Sequence, residues 1–111
     1  MQISENAIIP EAKLTQYLLV YRARNDKSKF LAQAGFTQTN PGILKVAIQT
    51  LIATNEAFEE RTNEYGTFYQ AVGMLEGPNG IQLSVVTIWL RRKIDDQFQF
   101  ITLTPYREAK S

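Results

Sequence analysis

The chain has 111 residues, a formal net charge of +1, 44% hydrophobic side chains and 21% charged ones. That balance suits one globular domain that closes a core without staples, and it lacks the strong basic field of a typical nucleic-acid binder. Cysteine and histidine are both absent, which excludes disulfides, thiolate metal sites and histidine acid–base chemistry.

The opening MQISENAIIP has no basic stretch leading into a long apolar run, so no secretory leader is expected. No apolar run approaches the roughly 20 residues of a membrane helix. A reducing, cytoplasmic setting fits a chain without cysteine, and no membrane, cofactor or metal partner is expected.

The first half reads as helices. In PEAKLTQYLLVY, Leu14, Tyr17, Leu18 and Tyr21 recur at the spacing of one helix face, and Pro10 suits the first turn. NDKSKFLAQAGF offers Asn25 or Asp26 as an N-cap and Gly35 as a left-handed terminator, with Phe36 folding back on the last turn. In TNPGILKVAIQTLIATN, Asn40 is placed to cap and Pro41 to take the first helical position. Leu44, Ala47, Ile48 and Leu51 form its buried stripe, and Asn55 ends it.

The second half reads as strands. EAFEERT is a candidate acidic first strand, followed by Thr67–Glu76, Ile81–Lys93 and Gln97–Thr104. Helices over about 9–55 and then an antiparallel meander of three to four strands over about 56–105 predict an α+β fold in one domain, 1–111. The helices cover one face of the sheet.

GPNG, Gly77–Gly80, suits a type I turn with Gly80 in the left-handed position. That geometry pairs Leu75 with Leu83, Gly73 with Val85, Ala71 with Thr87 and Tyr69 with Trp89. A two-residue turn at Asp95–Asp96 then pairs Leu90 with Ile101 and Ile88 with Leu103, and sets Trp89 beside Thr102 and Thr87 beside Thr104. Two faces result. Phe68, Val72, Met74, Val86, Ile88, Leu90, Ile101 and Leu103 are apolar and are expected under the helices. Tyr69, Ala71, Gly73, Thr87, Trp89, Arg91, Thr102 and Thr104 make an amphipathic face with a shallow centre, expected to be open.

That second face carries the candidate binding residues Tyr69, Thr87, Trp89, Arg91, Thr102 and Thr104. Hydroxyls can hydrogen-bond there and Trp89 can stack. A protein partner, a second copy of the chain or a ligand would cover it. Plain strand propensity explains the same composition. Arg91, Arg92 and Lys93 are either a phosphate contact or a hairpin tip neutralised by Asp95 and Asp96. Arg22, Arg24, Lys27 and Lys29 are either a site for nucleic acid or an acidic partner, or a polar linker. Glu56, Glu59, Glu60 and Glu64 around Arg61 are paired carboxylates or a protective edge.

IPEAKLTQYLL, SKFLAQAGF, YGTFY, GPNG, TIW and ITLTP together resemble a small bacterial domain family of unknown function. Its members stand alone or sit at the C-termini of proteins related to phage heads and secreted toxins. The resemblance spans Ile9 to Pro105 and implies an α+β domain with a toxin-associated role. The order of helices then sheet is also similar to small ribonucleases of the barnase and RelE kind. A ribonuclease without histidine would call on Glu64, Tyr69 and Arg91 for proton transfer and charge stabilisation. Two readings result: a protein-interaction module, and a toxin-like ribonuclease.

Overall fold

The computed structural model describes residues 1–19 and 27–106. A short helix α1, Glu11–Lys13, runs into a π-helical turn at Leu14–Leu18. Then come α2, Ser28–Ala32, and α3, Pro41–Thr54. Four strands follow: β1 Ala57–Asn63, β2 Gly66–Glu76, β3 Gln82–Arg92 and β4 Phe98–Pro105. They form one antiparallel sheet in the order β1-β2-β3-β4. The fold class is therefore α+β with a C-terminal meander, and the acidic first strand exists at the sheet's edge.

Local chemistry explains most element ends. Leu14 and Leu18 are buried, and Leu19 N–H donates to Leu14 O at 3.0 Å, the longer ring of a π turn. Tyr21, the last residue of the expected stripe, and the candidate caps Asn25 and Asp26 lie outside the described residues. Gly35 takes φ +93° after α2, and Phe36 N–H donates back to Leu31 O at 3.2 Å while its ring is buried. Pro41 begins α3 as expected, but Asn40 does not cap it through its side chain. Asn40 Oδ1 accepts from Thr37 N–H at 2.8 Å and so closes the preceding turn. Asn55 ends α3 by donating from Nδ2 to Leu51 O at 2.9 Å, which satisfies one orphan carbonyl.

The first hairpin has the expected register throughout, from Leu75–Leu83 to Tyr69–Trp89. The second does not. Its loop has four residues, closed by Arg92 N–H on Gln97 O and Asp96 N–H on Arg92 O, both 2.8 Å. Only Asp96 adopts positive φ, 59°, and a two-residue turn of the hairpin type needs that at both central positions. A register shift at Ile101 completes the change: Trp89 pairs with Phe100, Ile88 with Thr102 and Thr87 with Leu103.

The covered face of the sheet is the reverse of the expected one. Tyr69, Ala71, Thr87, Trp89, Phe100 and Leu103 are buried with Leu44, Ile48, Leu51 and Ile52 of α3. Phe68, Val72, Val86, Ile88, Leu90 and Ile101 are only half-buried and Met74 is exposed. The small residues decide this. A Cβ on Gly73 would lie 2.9 Å from Leu51 Cγ and 2.6 Å from Asn55 Nδ2. What reads as a shallow binding floor is the seat of α3. On the same face, a Cβ on Gly77 would lie 1.8 Å from Ala34 O, so the GPNG turn docks on the end of α2. Asn79 Nδ2 fastens it by donating to Gln33 O at 3.0 Å.

The hydroxyl and indole of this face serve each other. Trp89 Nε1–H donates to Thr87 Oγ1 at 2.8 Å, and Thr87 Oγ1 donates to Ala71 O at 2.8 Å. Both residues are 0% exposed. A buried donor without a partner is costly, so Thr87 is the residue that lets the sheet accommodate an interior Trp. Edge-to-face contacts at 5.3 Å, Trp89 on Phe100 and Tyr69 on Phe98, complete the layer.

The N-terminal segment covers part of the β4 edge. Ile8 bridges in parallel beside Gln99, with its N–H on Phe98 O and its carbonyl accepting from Phe100 N–H, both 2.8 Å.

Candidate functional site

The expected binding residues separate into three places. Tyr69, Thr87 and Trp89 are in the core and present no surface to a partner. Thr102 and Thr104 pair with Ile88 and Val86, so they stand on the face that α3 leaves open. Arg91 is at the hairpin end, 3.5 Å from Asp96, while Arg92 pairs with Asp95 at 3.2 Å. Of the ribonuclease set, Tyr69 and Arg91 share one face of the sheet at diagonal positions of β2 and β3. Tyr69 is buried, Arg91 faces Asp96, and exposed Glu64 lies in the β1–β2 turn beside Tyr65, Leu90 and Arg92. The acidic group is also dispersed: Glu56 pairs with the N-terminal ammonium at 2.9 Å, and Glu59 and Glu60 are exposed on edge strand β1.

Two features take their place. The first is a polar cluster where the helical layer meets β4. Lys27 Nζ donates to Thr102 Oγ1 at 2.9 Å and to Tyr17 Oη at 3.4 Å. The Tyr17 ring is flanked by two ammonium groups, Lys27 at 5.3 Å and Lys13 at 5.7 Å from its centroid. Both ammonium groups raise the positive potential around the ring, which attracts each of them through its quadrupole. Among the described residues no carboxylate pairs with either lysine. The cluster therefore favours an anion. Lys27 belongs to the basic group singled out in the sequence; Arg22 and Arg24 lie outside the described residues, and Lys29 is exposed. Spacing alone could not join Tyr17 and Thr102, which are 85 positions apart in the chain.

The second feature is a groove between the N-terminal half of α3 and the β2–β3 hairpin. Pro41, Ile43, Val46, Ala47, Met74 and Pro78 line it. Ile43, Val46 and Met74 are 43%, 60% and 48% exposed. β1 begins at Ala57 opposite Ala71, so β2 runs past it toward this groove. Met74 is shared, and it joins the groove to the open sheet face. The signal for it lies in α3: Ile43 and Val46 are large apolar residues off the helix's buried stripe.

Among the described residues, no helix is long and apolar enough to cross a membrane, and no group of three or more acidic side chains is placed to hold a metal ion.

The chain belongs to the family described as a domain of unknown function, DUF6883, whose model matches residues 1–107. No curated protein matches it in sequence. In fold it is similar to a chain in the contact-dependent growth inhibition toxin–immunity protein complex from Klebsiella pneumoniae 342. That similarity has a TM-score of 0.71 and 18% identity, and covers 90% of this chain and 100% of the other. At that identity the likeness concerns the fold.

Proposed function

We propose that this chain is a protein-interaction domain acting as one member of a toxin–immunity pair, and that it docks its partner on the groove between α3 and the β2–β3 hairpin. One observation carries the reading: Ile43, Val46 and Met74, three large apolar side chains, are exposed together along a concave surface. Water contact there is unfavourable at about 25 cal/mol per Å2 of apolar area, and a contiguous patch of this kind marks an interaction site. The likeness in fold to a chain from a toxin–immunity complex supports the kind of partner.

The test is co-expression with the product of each flanking open reading frame, followed by size-exclusion chromatography. A stable complex is expected with one of them. Val46→Lys combined with Met74→Lys should weaken it by about 2 kcal/mol or more and leave the melting temperature of the free chain unchanged. No complex with either product, or a complex indifferent to those lysines, overturns the proposal.

A second reading, a ribonuclease without histidine, draws support from the Lys27–Tyr17–Thr102 cluster rather than from Glu64, Tyr69 and Arg91. An ammonium held beside a phenol can stabilise charge on a phosphate. Total RNA left intact after incubation with the purified chain, with and without added magnesium, retires it.

A further inference from the structure

The open face of the sheet carries one cross-strand row whose chemistry differs from the apolar positions around it. Thr102 on β4 pairs with Ile88 on β3, Ile88 with Gln70 on β2, and Gln70 with Phe58 on β1. With strands about 4.8 Å apart, the row spans roughly 14 Å. Lys27, seated on Thr102, marks one end. At the other end Phe58 is 62% exposed on the edge strand. Beside it, the Arg61 guanidinium lies 4.6 Å from the centroid of the Phe68 ring. A cation therefore stands at each edge of the face, Lys27 by β4 and Arg61 on β1, the latter next to the exposed carboxylates Glu59 and Glu60, with Phe68 and the Gln70 carboxamide between them.

We propose that this row is a track for single-stranded RNA. Sheet faces bind unpaired nucleotides by stacking bases on exposed rings and holding phosphates with flanking cations. Phe58 supplies the ring, since a surface Phe on an edge strand otherwise gains little from its position. Lys27 supplies the phosphate contact. Two of its three N–H donors are taken by Thr102 and Tyr17, which fixes the ammonium in place and leaves one direction for a phosphate oxygen. Lys13, 5.7 Å from the centroid of the Tyr17 ring, adds to the positive potential there. Gln70, Gln99 and Thr104 offer amides and a hydroxyl on this face. Such groups both donate and accept, as a ribose 2′-hydroxyl requires, and they are the reason for choosing RNA over DNA. None of the residues of this row lines the α3 groove, so the track does not rest on the partner-docking proposal, and RNA binding here does not require cleavage.

The test is fluorescence anisotropy of a labelled 12-nucleotide oligouridylate across a salt series, with the oligodeoxyuridylate of the same length as comparison. Saturable binding to the RNA is expected. Phe58→Ala should weaken it by about tenfold, the loss of one stacked base. Lys27→Gln should weaken it at low salt and lower the slope of log affinity against log salt by about 0.7, the share of one phosphate on a single strand. Val46→Lys in the groove should not reduce it. Melting temperatures of all variants show that each is folded, and Arg61→Gln, at an exposed edge position, gives a second phosphate-side probe should Lys27→Gln fail to fold. No binding to the RNA, equal affinity for the DNA, or unchanged affinity in both Phe58→Ala and the cation variant would overturn the assignment.

Discussion

Thr87→Val separates a structural role for the Tyr/Thr/Trp face from a functional one. Valine has nearly the same shape as threonine and suits a strand, so the change opens no cavity. It removes the oxygen that accepts Trp89 Nε1–H, a bond of 2.8 Å between residues that are both 0% exposed. The stranded donor costs about 1–3 kcal/mol, to which the lost bond to Ala71 O adds about 0.5 kcal/mol. A total near 2 kcal/mol lowers the melting temperature of a chain this size by roughly 8 °C. On an open face the same substitution would stay within about 0.5 kcal/mol. Urea unfolding followed by far-ultraviolet circular dichroism measures it, because the companion variant Trp89→Phe lacks the chain's one tryptophan. In the Trp89→Phe background the donor is already gone, so Thr87→Val should there cost at least about 1 kcal/mol less. Equal costs in the two backgrounds, or no cost in either, would refute the buried pair and with it the assignment of the covered face.

The glycines give a contrasting pair. Gly77→Ala places a methyl 1.8 Å from Ala34 O, so the hairpin turn must lift off the end of α2, at an expected cost of about 2 kcal/mol or more by the same urea assay. Gly42→Ala, with nothing within 4 Å in the first turn of α3, should instead stabilise by about 0.4–1 kcal/mol through a less flexible unfolded chain. Loss of stability from Gly42→Ala, or none from Gly77→Ala, would count against the described packing of α3 and of the turn.

Local chemistry settled the elements and one register. Pro41 and Asn55 bound α3, Gly35 with Phe36 ends α2, and GPNG sets every pair of the first hairpin, because each of these acts through its own backbone geometry or its near neighbours. Two things were not legible along the chain. Asp95–Asp96 does not specify loop length, and a loop of four residues slid β4 by two positions, which keeps its faces; the register shift at Ile101 then set Leu103 in the core and Thr102 and Thr104 on the open face. The alternation of β2 and β3 divides side chains into two sets but does not say which set a helix will cover, since both contain enough apolar residues to be an interior. That choice was made by volume in three dimensions. Gly73 and Ala71 leave room for Leu51 and Asn55 to approach, and Thr87 satisfies the indole of Trp89, so the set with hydroxyls and an indole became the core. The more uniformly aliphatic set was left on the outside, beside Lys27, Phe58 and the groove.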